Sequence, residues 1–301
     1  MSEPRNQPRI SAPRAIAFFF LLAAASRAAA QQIAFDRPEA WALKYFAAVT
    51  TFTPLQAPRE RAPGTVEIGL EGGWVPYLTD TKRTVGFEGT KVEDLNKTPL
   101  VGRPRLLVGL PAGFSVEVGW IPPIVIHGAK ANLFDGAIEK AFVDEPRGSF
   151  GMRLSGQFGH AYGDYTCPAD VVGFPPGSPE NPYGCDARST DVANLNTAGA
   201  ALTGGFKVGK GVAIHLAGGA TYNDLQFQVG AYWNGTADNT LLKTHGWTGW
   251  GAAGVDVALG AGATFSAEAF YSPLTVVRPP STSSQNDGLF NVRGLVRFHL
   301  R

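Results

Sequence analysis

Residues 103–120 read RPRLLVGLPAGFSVEVGW. Pro104, Leu106, Val108 and Leu110 alternate with a face that carries Arg103 and Arg105. Pro111-Ala112-Gly113 then supplies turn residues, after which Phe114, Val116, Val118 and Trp120 oppose Ser115, Glu117 and Gly119. A side-chain period of two is the signature of a strand, because successive side chains leave a pleated backbone on opposite faces. The stretch therefore predicts two antiparallel strands joined by a tight turn, with one apolar face and one charged face.

The same period extends outward along the chain. Before it, Val66, Ile68, Leu70, Gly72 and Trp74 oppose Thr65, Glu67, Gly69, Glu71 and Gly73. After it, Phe150, Met152, Leu154 and Phe158 oppose Arg153, Ser155 and Gln157, and Val212, Ile214 and Leu216 oppose Ala213, His215 and Ala217. Residues 244–259 form a further strand, followed by Phe265, Ala267, Ala269 and Tyr271 opposite Ser266 and Glu268. The last alternation sets Phe290, Val292, Val296 and Phe298 against Asn291, Arg293, Arg297 and His299. Residues 124–142 show no clean face and are read as a strand because their neighbours need one between them. Connections alternate in length: short at 111–113, 143–148, 208–211 and 260–262, long at 76–98, 164–190, 224–241 and 273–287. The crossing at Pro122-Pro123 is short where this scheme wants length. The expectation is an all-β closed antiparallel barrel of about ten strands, with twelve as the alternative, over residues 64–301.

Composition narrows the class. Gly is high at 37, charged residues are 17%, and hydrophobic and aromatic residues reach 44% and 11%. A mean hydropathy of −0.03 is far below that of a helical membrane protein. It suits a chain whose two strand faces cancel on averaging. A net charge of +1 without a basic stripe argues against nucleic acid as a partner.

The first thirty residues read as a cleaved export signal. Arg5, Arg9 and Arg14 precede an apolar run from Ala15 to Ala25, and Ala28 and Ala30 stand before a cut ahead of Gln31. Residues 31–63 form an N-terminal helical segment and a connector containing Pro54, Pro58 and Pro63. Asp36 and Glu39 have capping-box spacing, Pro38 suits a first turn, and Trp41, Tyr45, Phe46 and Val49 give one apolar face to a helix over 37–49. The favoured expectation is a cap on the barrel end, with a plug inside the lumen as the alternative.

Aromatic residues occupy both ends of the outward faces. Phe114, Phe150, Phe265 and Phe298 sit near short turns, and Trp74, Trp120, Tyr271 and Phe290 near long loops. Two such belts match the interfaces of a bilayer. With the export signal and the asymmetric loops, this pattern resembles the bacterial outer-membrane β-barrel class of Gram-negative cells. The resemblance covers about residues 64–301 and implies outer-membrane lipid and the barrel-assembly machinery as partners. One departure is that the final aromatic, Phe298, is followed by His299, Leu300 and Arg301.

Inside such a barrel the expected lumen lining is Glu67, Glu71, Arg103, Arg105, Glu117, Arg153, Gln157, His215, Asp256, Glu268, Arg293 and Arg297. Barrel closure is expected to bring Glu67 and Glu71 near Arg293 and Arg297. Acids and bases are nearly balanced, so the lining serves either as a polar path for small solutes or as an ion-pair seal. Cys167 and Cys185 lie in a Pro-rich loop and are expected to form a disulfide, worth roughly 3 kcal/mol if chain entropy sets its effect. No metal site and no cofactor is expected. Gly249-Trp250-Gly251-Ala252-Ala253-Gly254 matches a dinucleotide motif in letters but sits inside a strand pattern. His160, Asp164 and Ser189 could converge near the 164–190 loop as a rim hydrolase, the last of the readings and placed behind ordinary solvated loop residues, and the chain is read as a non-enzyme. The leading expectation is a narrow pore or porin-like transport barrel for small solutes, ahead of a structural or surface-binding barrel that acts through its external loops.

Overall fold

The computed structural model describes residues 30–260 and 262–300. Nearly all of the expected export signal, residues 1–29, lies outside them, as do Ala261 and Arg301. The described residues form a closed sheet of ten antiparallel strands. In chain order these are β1 Val66–Trp74, β2 Leu100–Gly109, β3 Phe114–Ile121, β4 Lys130–Asp144, β5 Gly148–Gly163, β6 Asp191–Gly209, β7 Val212–Gln228, β8 Leu241–Ala258, β9 Ala263–Ser272 and β10 Leu289–His299. Each pairs with the next, and β10 closes onto β1 through a ladder from Arg293↔Gly73 to His299↔Glu67. Closure leaves no sheet edge, the condition for a β-structure to cross lipid.

The alternation has the expected consequence at the surface. Leu70, Leu106, Val118, Leu154, Leu202 and Leu216 project outward and are exposed, with Trp74, Phe114, Trp120, Phe150, Phe265, Tyr271, Phe290 and Phe298 above and below them. Trp120, Phe134 and Phe158 stack across three neighbouring strands at 6.1 and 5.6 Å between ring centres. An outward face this apolar is made for hydrocarbon rather than water, so the chain is a membrane barrel of the outer-membrane class. The long loops mark the external end and the short turns the internal end.

Within residues 124–142 the strand begins only at Lys130, and from there its alternation is clear. In β4, Leu133, Asp135, Ala137, Glu139 and Ala141 are buried in the barrel while Phe134, Ile138 and Phe142 face out. The small residues Gly136 and Ala141 had hidden that contrast. The barrel is taller on one side, where β4 to β8 run for 15 to 19 residues, than over β1 to β3, which have 8 to 10. Spanning needs only about 9–11 residues, so the tall strands continue beyond the bilayer. There Cys185–Ala187, Ala231–Trp233 and Thr236–Asp238 make a small external sheet. Cys167 and Cys185 are joined by a disulfide that ties the 164–190 loop to it.

The N-terminal segment is a plug, and the expected cap is corrected. Gln31–Gln32 lies parallel to Leu242–Lys243 at the external end. Helix α1, Pro38–Val49, then enters the barrel, and residues 50–63 descend through the lumen to Gly64, whose N–H donates to the Gly109 carbonyl at the internal end. The single apolar face read from the sequence was too narrow. Ala40, Ala42, Leu43, Ala47 and Ala48 make α1 apolar all round, and all are buried. A helix of that kind is stable only when enclosed. The expected capping box is absent: the N-cap is Arg37, and Glu39 instead accepts from Arg37 Nη2 at 3.2 Å and from the Glu88 N–H at 2.7 Å.

Candidate functional site

The lumen has two halves with different chemistry. In the external half, α1 packs between two apolar sets. Leu43 and Ala47 meet Ile121, Leu133, Ala161, Ala193, Leu195 and Leu225, while Trp41, Tyr45 and Val49 meet Phe270, Leu274 and Leu289. These wall residues continue the inward positions of strands that are polar lower down, so a reading based on inward polarity missed them. Three side chains pin the helix to the loops. Trp41 Nε1 donates to the Asp287 carbonyl at 2.9 Å, Lys44 Nζ to the Thr275 carbonyl at 2.6 Å, and Tyr45 Oη to the Pro76 carbonyl at 2.7 Å.

The internal half is ionic. All twelve residues read as lumen-lining point inward and are at most 8% exposed. Glu117 lies 2.8 Å from both Arg153 and Arg297 and 3.5 Å from Arg105. Glu71 faces Arg103 at 3.3 Å and Arg105 at 3.4 Å, and Arg103 reaches Asp135 at 3.0 Å. His215 stands 3.0 Å from Asp256 and 3.5 Å from Glu268. Of the expected contacts across the closure, Arg297 does reach Glu67, at 3.5 Å. Arg293 is bonded elsewhere, to the end of α1.

The last carbonyls of a helix lack partners within it. Arg293 supplies them, with Nη2 donating to Ala48 at 2.9 Å and Val49 at 3.3 Å and Nη1 donating to Thr51. Its cation also stands at the negative end of the helix dipole. Arg103 Nη2 donates to the Thr50 carbonyl, and Arg105 Nη2 to the Thr53 carbonyl at 2.6 Å. Thr53 Oγ1 donates to Glu268 at 2.7 Å, and the Ala57 N–H to Asp256 at 2.8 Å. The wall thus replaces water for an extended stretch that has no ladder of its own.

Charge balance is shared between wall and plug. Seven buried wall carboxylates, Glu67, Glu71, Glu117, Asp135, Glu139, Asp256 and Glu268, face five wall arginines. Arg59 and Arg61 of the plug bring two more guanidinium groups, to Glu67 at 2.7 and 3.3 Å. Sequence reasoning missed Asp135, Glu139, Arg59 and Arg61, the first pair because β4 looked irregular and the second because the connector was placed outside. The polar path expected for solutes is therefore occupied. A water-filled channel would expose Glu117 and Arg297, which are 2% and 1% exposed.

Space remains above the seal. A cavity of about 270 Å³ opens externally between α1 and the loops, lined by Ala42, Leu43, Phe46, Val85, Phe87, Leu95, Tyr165, Phe227 and Trp233. Glu39, Glu88, Glu93 and Asp238 bring carboxylates to it, against the single guanidinium of Arg37. Burial pushes the Glu93 carboxyl up to about 7, with the Lys91 ammonium opposing part of the shift.

The hydrolase trio is not assembled. His160 is on the outward face beside Asn194, Ser189 donates to Asp191 at 2.7 Å, and Asp164 pairs with Lys97 at 2.7 Å and Arg188 at 2.8 Å. The glycine motif at 249–254 runs along β8 in plain ladder register with β7, with no helix opening within it.

No family model matches the chain, and no curated relative does. Solved structures with a similar fold are outer-membrane barrels. The attachment invasion locus protein Ail of Yersinia pestis is 9% identical with a TM-score of 0.31, the match covering 79% of this chain and 99% of that one. The outer-membrane protease OmpT of Escherichia coli is 10% identical at TM-score 0.36, covering 79% and 94%. The translocator domain of the autotransporter NalP of Neisseria meningitidis is 10% identical at 0.43, covering 81% and 90%.

Proposed function

We propose that this protein is a sealed outer-membrane barrel that binds a small ligand at its external end. The observation that carries the reading is the division of the lumen. The internal half is closed by a plug held through buried guanidinium-to-carbonyl bonds, and the external half keeps an open, largely apolar cavity. Mostly apolar walls with a few convergent polar groups are the usual makeup of a small-molecule site. Arg37 pairs with Glu39 and Glu88 and Lys91 with Glu93, so four carboxylates meet two cations, which favours a ligand with an apolar body and a basic or hydrogen-bond-donating end. Solute transport of the pore type would require residues 38–63 to leave the lumen, at the cost of stripping several buried charges of their partners.

The test uses the full mature chain in lipid nanodiscs and dansylcadaverine, an apolar fluorophore with an amine. Saturable energy transfer from tryptophan is expected, lowered in Trp233→Phe and lost in Ala42→Phe, which fills the cavity. Transfer that never saturates, or that Ala42→Phe leaves unchanged, overturns the reading.

A further inference from the structure

The barrel wall has a gap. The ladder between β2 and β3 runs from Gly109↔Ser115 to Arg105↔Gly119 and stops there. On either side the wall continues higher: β1 pairs with β2 up to Trp74↔Leu100, and β3 with β4 up to Ile121↔Leu133. Residues 100–104 of β2 therefore lack a partner on their β3 side. The sequence explains why the gap does not zip shut. Proline has no N–H to give a ladder, and Pro104, Pro122 and Pro123 stand on its two edges. The crossing at 122–129 is also too short to fold over it, which accounts for the one connection that broke the short-and-long rule.

A second cavity, of about 260 Å³, lies behind this gap. Its lining mixes two faces of the wall. Leu133, Ala161 and Leu195 are inward and buried, whereas Leu70, Pro104 and Ile124 belong to the outer surface. A cavity lined from both sides reaches from the outer surface into the wall, and Leu133 and Leu195, at 0% and 1% exposure, close its inner end. It stands at the level of Trp74 and Trp120, in the external aromatic belt, where headgroups meet hydrocarbon. Open backbone at membrane depth is tolerated where it is buried in protein or lines a cavity.

We propose that this lateral window admits one hydrocarbon chain of an anionic single-chain amphiphile, a fatty acid, from the outer leaflet into the barrel. The lining explains the chain: it is almost wholly aliphatic and aromatic. The volume is below the roughly 300–1,000 Å³ of drug-sized sites, room for the terminal part of one chain and too little for two. The headgroup is set by charge. Lys130 lines the mouth, is exposed, and among the described residues has no carboxylate partner, its Nζ lying 5.4 Å from the Tyr162 ring. Lys97, the other cation there, is already held by Asp94 and Asp164. Phe46, Leu95 and Tyr165 border both this cavity and the external one, so the inference deepens the ligand-binding reading while its entrance is separate.

The experiment is photolabelling of the full mature chain in nanodiscs with diazirine-bearing palmitate, its sites mapped by mass spectrometry. Label is expected on the buried Leu133, Ala161 and Leu195 as well as on outer-surface residues. Ala161→Phe should abolish the inner sites and keep the outer ones, while transfer from tryptophan to dansylcadaverine stays saturable. Lys130→Ala should weaken inner labelling for palmitate by about two- to five-fold, the range one exposed ion pair supplies, and leave a neutral hexadecanol probe unaffected. Label confined to outer residues in the wild type overturns the window, as does equal inner labelling by a two-chain phospholipid probe. Loss of tryptophan transfer with inner labelling intact would remove the external site alone.

Discussion

The ring of Phe52 lies 4.1 Å from the guanidinium of Arg105, at ring centre to central carbon. Arg153 and Arg103 approach the same ring at 4.8 and 5.1 Å. A plug residue is thus wrapped by three wall cations whose charge is answered by Glu71, Glu117 and Asp135. The wall makes room for it: at Gly119 any Cβ would stand 3.0 Å from the Phe52 ring and 2.8 Å from Arg103. Phe52→Ala should cost about 3–5 kcal/mol, the range for deleting a buried aromatic side chain. Urea unfolding in detergent micelles measures it.

Arg293→Met keeps the length of the side chain and removes the guanidinium that meets the end of α1. The Val49 carbonyl loses its donor, while those of Ala48 and Thr51 keep the Thr51 and Thr53 N–H groups at 3.3 and 3.1 Å. A loss of about 3–5 kcal/mol in plug seating is expected, as for a broken buried charge contact. Limited proteolysis should then cut within residues 31–63 while the barrel stays intact.

Glu117→Gln removes the carboxylate shared by Arg105, Arg153 and Arg297. Three guanidinium groups are left with excess charge, and the variant should lose about 3–5 kcal/mol. A lower temperature for the heat-induced mobility shift on gels would report it.

The whole chain should show no steady conductance in planar bilayers. A refolded variant lacking residues 31–62 should conduct and should prefer cations, because seven wall carboxylates then face five arginines. Anion preference in that variant would contradict the charge balance derived above.

The external site should respond to pH through Glu93. Its carboxyl is raised from an ordinary value of 4.5 to about 7 by burial. The folded state therefore holds the proton more tightly than the unfolded chain. Its contribution to stability is complete below about 4.5 and is lost as pH rises through about 7. The thermal midpoint should fall between those values, and Glu93→Gln should flatten that part of the profile.

Period-two alternation, outward aromatics and uneven loops are local properties of this chain. They sufficed for an antiparallel barrel, for the inward position of residues such as Glu117 and Arg297, and for the Cys167–Cys185 pair, because side-chain period and loop length are written along the backbone. What fills the lumen was not legible. The pairing of Arg293 with the end of α1, of Arg105 with Phe52, and of Arg61 with Glu67 joins residues that are distant or on separate elements, and each charge found its partner only when the barrel closed around the plug. The window likewise depends on a missing stretch of ladder between β2 and β3. Pro104 and Pro122 hint at it, but a gap exists only relative to the neighbouring strands that rise higher.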